Sequence, residues 1–148
     1  MGLIIDSGVF ILWERSGRAV DFSQWASYGD AAISVVTASE LLVGVHRADT
    51  SQRRANRSLF VEGILSTVPT LPITSDIARK HAGVFSALLV NGVTVGSHDL
   101  WIGATALSFG FGVLTTNARE FQRIPGLVVI DVSSTTTSSS MNPAEPLD

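Results

Sequence analysis

The sequence predicts an α/β fold: a central parallel sheet of four to five strands with helices on both faces. Three observations lead there. Short apolar runs alternate along the chain with segments of helical periodicity. The runs at 31–36, 113–114 and 127–130, like the one at 2–5, are apolar throughout and lack the alternation of a strand with one wet face. Finally, 148 residues with 45% apolar content and a mean hydropathy of +0.34 can bury one generous core.

Residues 2–5 read as a buried strand running into Asp6, and 7–15 carry apolar residues suited to a helix. Residues 20–28, with Phe22 and Trp25, look like a second short helix before 31–36, where β-branched residues favour a strand. A helix from Thr37 covers 37–46 and a longer one 51–65, after which Pro69 and Pro72 flank a short strand around Leu71 and Ile73. Ser75 suits the N-cap of the next helix, whose stripe runs through Ile77, His81, Val84, Phe85 and Leu88. Asn91-Gly92 and Gly96 mark a loop. The helix over 97–109 contains Gly103, Ala104 and Ala106, small enough for close packing on a sheet, and Gly110 and Gly112 close it. A helical turn near Asn117 separates the last two strands. Beyond Val132 the sequence turns to SSTTTSSS and MNPAEPLD, which offers little to bury. The expectation is therefore one domain over 1–132 and a flexible Ser/Thr/Pro-rich tail over 133–148.

Composition removes several classes of function. No apolar stretch approaches the ~20 residues needed to span a bilayer, and the apolar start runs straight into Asp6 without a basic leader region. The absence of cysteine rules out disulfides, thiolate metal sites and cysteine nucleophiles. Together these features suit a cytoplasmic protein without a membrane role. A net charge of −3 argues against a broad basic surface, yet nine of the ten basic residues are Arg, and Arg53, Arg54 and Arg57 share one helix face. That cluster reads either as a solvated face or as a phosphate or partner contact. Arg15, Arg18, Arg47, Arg119 and Arg123 are further candidate phosphate contacts.

The acidic residues carry the strongest functional signal. Asp6 falls at the carboxyl end of the first strand, where a parallel sheet opens its ligand crevice, although Asp there also suits an N-cap. Glu40 stands in Thr37-Ala38-Ser39-Glu40, a capping-box pattern that could equally project a carboxylate into that crevice. Asp99 opens a helix with no further charged residue until Arg119, and the helix dipole alone would favour it there. Asn117 and Glu120 repeat the cap-plus-acid pattern after a later strand, and either could supply an oxygen ligand. Such groups converge if the sheet is parallel. Carboxylate oxygens without Cys or paired His suit a hard cation, Mg²⁺ or Mn²⁺, which would offset their mutual repulsion. His46, His81 and His98 show no metal-binding spacing; His81 reads as a core residue, and His98 gains interest from adjoining Asp99. Trp13, Trp25 and Trp101 read as packing before base stacking. No phosphate-binding Gly-rich loop or serine nucleophile elbow occurs.

Four segments in order, LIIDSGVFI at 3–11, TASELLVGV at 37–45, HDLWIGATAL at 98–107 and VLTTNAREF at 113–121, resemble the PIN domain, specifically VapC-type toxins. The resemblance spans essentially 1–132 and implies a three-layer parallel α/β fold and a Mg²⁺- or Mn²⁺-dependent ribonuclease that cuts RNA, often tRNA or ribosomal RNA. By motif, Asp6, Glu40, Asp99 and Asn117 would be its metal-binding and catalytic residues. Many relatives have Asp where this chain has Asn117, whose amide oxygen brings no charge, so one tightly held ion is the expected state. The resemblance further implies a homodimer and a small VapB-like antitoxin as inhibitor.

Two other readings compete. One is a non-catalytic RNA- or protein-binding module that keeps the fold, with Asn117 in its favour. The other is aspartyl-phosphate chemistry at Asp6, weakened because Asp6-Ser7-Gly8 is not D-x-D and the one lysine, Lys80, lies inside a helix.

Overall fold

The computed structural model describes residues 1–134. The expected tail lies, from residue 135 onward, outside the described residues. The chain forms β1 (Gly2–Ile5), α1 (Ser7–Arg15), a 3₁₀ segment (Ser23–Tyr28), β2 (Asp30–Ser34), α2 (Val35–His46), α3 (Ser51–Thr67), β3 (Thr70–Leu71), α4 (Ser75–Val90), α5 (Ser97–Phe109), β4 (Gly112–Thr115), α6 (Ala118–Phe121), β5 (Val129–Asp131) and a closing 3₁₀ turn (Val132–Ser134).

All five strands are parallel, in the order β3-β2-β1-β4-β5. Because side chains alternate across a strand, the sheet divides two cores. Leu3, Ile5, Ile33 and Leu114 face α1, α2 and α3, whereas Ile4, Ala32 and Val113 face α4, α5 and α6. On the first face Phe10, Trp13, Phe22 and Trp25 form an aromatic cluster, with the Trp13 and Phe22 rings 5.3 Å apart, so two tryptophans serve packing as expected. Trp101 stacks on His81 at 3.6 Å, and His81 is a half-buried packing residue. On the second face a Cβ at Gly103 would come within 2.5 Å of Ile124 Cδ1, which explains the need for a small residue in α5.

Several boundaries differ from the sequence expectation: the helix expected over 20–28 is a 3₁₀ segment over Ser23–Tyr28, α3 runs on to Thr67, and β3 stops at Leu71, short of Ile73. α2 begins at Val35 because the Ser34 hydroxyl accepts from the Val36 N–H at 3.1 Å, and this cap overrides the strand preference of Val35 and Val36. Thr37 is therefore inside the helix, and the proposed capping box with Glu40 does not form. Thr74, not Ser75, caps α4. β5 pairs through Val129–Asp131 while Leu127 packs into the second core ahead of it.

The topology fixes where a ligand site can be. From the centre, the chain builds β2 and β3 on one side of β1, then crosses back to build β4 and β5 on the other. The strand order reverses between β1 and β4, and their carboxyl ends open a crevice.

Candidate active site

Asp6 follows β1 at that reversal. Its backbone N–H continues the sheet to Leu114 O at 2.9 Å, and the side chain is 7% exposed. Both readings of this residue hold together. Oδ1 accepts from the Ser7 N–H at 2.9 Å and caps α1, while Oδ2 accepts from Thr115 Oγ1 at 2.8 Å across the crevice. Thr115 Oγ1 also accepts from the Asn117 N–H at 2.9 Å. One buried hydroxyl thus ties the end of β4 to the end of β1. Gly8 keeps α1 close to β4, since a Cβ there would run into the Thr116 hydroxyl.

Glu40 reaches the crevice from α2. Oε2 accepts a long 3.5 Å hydrogen bond from Ser7 Oγ and lies 3.7 Å from His98 Nδ1. Oε1 is buried without a hydrogen-bond partner among the described residues, and so is the hydroxyl of Thr37 one turn earlier. Asp99 enters from the first turn of α5. Glu120, from α6, accepts from the Gly96 N–H at 2.8 Å and stands 3.4 Å from Arg123, which also donates to Thr94 O at 2.9 Å. A Cβ on Gly96 would be 3.8 Å from both Asp99 Oδ2 and Glu120 Oε1, so these two acids share one loop.

The electrostatics report the same convergence. Burial pushes the Asp6 carboxyl up against the opposing hydrogen bonds from Thr115 and Ser7. Burial and the Asp6 charge raise Glu40, with His98 and Ser7 acting the other way. Asp99 is pushed up to about 6 by burial and then by Asp6, Glu120 and Glu40. Asp99 therefore senses carboxylates from three other elements, although 114 positions separate Asp6 from Glu120.

Asp6, Glu40 and Asp99 are brought together. Asn117 occupies the N-cap position of α6, but its side chain is exposed and makes no hydrogen bond among the described residues. Thr115 and Ser7 were not singled out by the sequence, which contains nothing to separate Thr115 from Thr116. Their role follows from register alone. His46 is exposed at the end of α2, away from the acids, whereas His98 joins them.

A hard-cation site fits this donor set. Its side chains offer oxygen only, their charges repel, and a buried Glu40 oxygen lacks a partner. Among the described residues no three acidic or histidine side chains are arranged as a ready-made metal cage, so closing on an ion would require side-chain rotation.

A parallel three-layer domain with acids gathered at its switch point defines the class. Residues 3–127 match the PIN domain, and the chain belongs to that family. Within it the chain groups with the VapC proteins. Ribonuclease VapC1 of Rickettsia felis is 39% identical over 134 residues, covering 90% of this chain and 98% of the relative. The tRNA(fMet)-specific endonuclease VapC of Salmonella typhimurium is 33% identical, covering 67% of this chain and 73% of the relative. The crystal structure of VapBC-5 from Mycobacterium tuberculosis, of the VapBC family of toxin-antitoxin systems, matches with a TM-score of 0.71 at 31% identity, covering 88% of this chain and 98% of that one. No helix among the described residues is long and apolar enough to cross a membrane.

Proposed function

We propose that this protein is a Mg²⁺- or Mn²⁺-dependent endoribonuclease, the toxin of a toxin–antitoxin pair, which hydrolyses phosphodiester bonds of tRNA or ribosomal RNA and thereby limits translation. The observation that carries the reading is the convergence of Asp6, Glu40 and Asp99 on the β1/β4 crevice, with all three carboxyls raised by burial and those of Glu40 and Asp99 raised further by acidic neighbours. Relatives named as ribonucleases and as a tRNA endonuclease support the substrate class.

Asp6, Glu40 and Asp99 would hold the cation, with Asn117 or Glu120 able to add an oxygen. When bound, a divalent cation supplies charge neutralisation at the phosphate, activation of the attacking water and stabilisation of the leaving oxygen. The chain supplies the rest. The Ser7 N–H and Thr115 Oγ1 fix both Asp6 oxygens, and Ser7 Oγ and His98 engage one Glu40 oxygen and leave the other free. Glu120, held by the Gly96 N–H and Arg123, stands beside Asp99.

The proposed partners are a VapB-like antitoxin, supported by the toxin-antitoxin relative, and a second copy of this chain. Exposed Phe85 and Leu89, one turn apart on α4, are consistent with a homodimer. The proposed setting is the cytoplasm.

The test is cleavage of a panel of tRNA and ribosomal RNA by wild type and Asp99→Asn, with and without EDTA. Cleavage lost in EDTA and in the variant, with a melting temperature no lower than that of wild type, is the expected result. Retained RNA binding without any cutting would instead favour the non-catalytic module, the reading that uncharged Asn117 supports.

A further inference from the structure

The acidic site does not end at the acids. Glu40 also lines a cavity of about 110 Å³ shared with Ile11, Glu14, Arg15 and Arg57. Glu14, Arg57 and Phe60 belong both to that cavity and to a wider, open groove of about 520 Å³, which adds Arg18 and Arg53. Through these shared residues cavity and groove adjoin as one surface along α1 and α3, with Glu40 at its edge.

Four arginines border it in a chain whose net charge is −3. The side chains of Arg15 and Arg18 form no ion pair or hydrogen bond among the described residues. Arg53 pairs with Asp49 at 2.8 Å, but both side chains are 68% exposed, and such a pair is easily exchanged for another anion. Arg57 is different. It donates to Gly44 O and to Glu14 Oε1, each at 3.2 Å, which holds its guanidinium at the junction of cavity and groove.

We infer that this groove is the track for the RNA strand beside the scissile bond, with Arg18 and Arg53 as backbone-phosphate contacts, Arg57 at the junction and Phe60 as an aromatic surface for a base. The inference rests on the ribonuclease reading. An acidic crevice repels a polyanion, so affinity must come from positive charge next to it, and guanidinium groups match phosphate oxygens in geometry as well as charge. The groove's openness suits a strand that continues past the site, and stacking on an aromatic ring is tolerant of base identity. An acidic polypeptide would find the same charge, but Glu40, shared between the cavity and the proposed cleavage site, favours RNA.

The test compares full-length wild type with Arg18→Ala/Arg53→Ala, two exposed positions outside the carboxylate site. Binding of a fluorescein-labelled oligouridylate is followed by anisotropy in EDTA across a salt series, and cleavage is measured separately with Mg²⁺. The expected result is affinity about 10-fold weaker and a salt slope smaller by about 1.4, at ~0.7 per lost single-strand phosphate contact. The cleavage defect should then lie in KM, not kcat. Unchanged affinity and slope overturn the groove assignment even if wild type cuts RNA, as does a variant impaired only in binding an acidic peptide. Wild type that binds through these arginines yet cuts nothing overturns the ribonuclease reading and leaves the track in place.

Discussion

The middle of the sheet and its carboxyl rim are made from the same strands and obey opposite rules. In the middle, Ile4, Ile5, Ile33, Val113 and Leu114 are fully buried and apolar. At the rim, Asp6, Ser34 and Thr115 continue those strands, equally buried but polar, and Thr37 follows one turn into α2. The middle stabilises the fold by removing hydrocarbon from water. The rim costs stability, because a buried carboxylate and a hydroxyl without a partner are both unfavourable there. The fold tolerates the cost of these buried polar groups because the residues of its two cores are apolar.

A rim substitution that keeps shape should remove activity and spare the fold. Asp99→Asn should lower kcat/KM for RNA cleavage on the order of 10³-fold, about 4 kcal/mol of transition-state stabilisation, measured with saturating Mg²⁺. The same variant should raise the melting temperature of the metal-free protein, since it removes one of four mutually repelling carboxylates. A parallel fall in melting temperature would mean that Asp99 is a structural residue.

The matching substitution in the middle has the opposite profile. Leu114→Ala, one residue before Thr115 and 0% exposed, should cost about 2–5 kcal/mol in denaturant unfolding. Its activity per folded molecule should stay within a few-fold of wild type.

Thr115→Val tests the seam between the two regions. It leaves a buried Asp6 oxygen without its 2.8 Å donor and the Asn117 N–H without its acceptor. The expected loss is about 1–3 kcal/mol in stability, with cleavage slowed about 10–100-fold through misplacement of Asp6. Ser at the same position should restore most of both.

A smaller effect separates the regions by pH. Asp99 titrates near 6 in the folded protein and has an ordinary value of 3.8, so between those values the folded state binds the extra proton. Metal-free protein should therefore gain stability as pH falls through about 6, the reverse of a salt-bridged carboxylate, and Asp6 and Glu40 act in the same direction. Thermal melts in EDTA across that range check the sign, and Asp99→Asn should flatten it.

The two regions also differed in how readily the sequence disclosed them. Unbroken apolar runs such as 2–5 and 113–114 suit strands buried on both sides, and the small residues of α5 announced close packing. Asp6 was legible because it sits where a strand stops. The end of β2 was not, because Val35 and Val36 carry strand propensity and only the Ser34 hydroxyl turns them into helix. Thr115 was invisible for a different reason: its importance is a cross-strand hydrogen bond to a residue 109 positions away. Glu120 resembled a local capping partner, yet its carboxylate serves the Gly96 N–H, 24 residues distant. Local chemistry is written in the sequence, and long-range pairing at the rim is not.

Substitution of Asn117 should have the smallest effect. The residue stands on the rim but outside its hydrogen-bonded frame: the backbone N–H is used by Thr115, while the exposed amide side chain is free of any partner among the described residues. Asn117→Asp should therefore leave the frame intact and add only charge. On a rim that already holds buried Asp6 one hydrogen bond beyond Thr115, that charge is unfavourable without metal, so the metal-free melting temperature should fall slightly. With a cation bound the sign reverses, because a carboxylate attracts a hard divalent ion more strongly than an amide oxygen does. Isothermal titration with Mn²⁺ should show a few-fold gain in affinity. A gain in affinity with unchanged metal-free stability would place residue 117 at the ion but away from Asp6, and no change in either would remove it from the site.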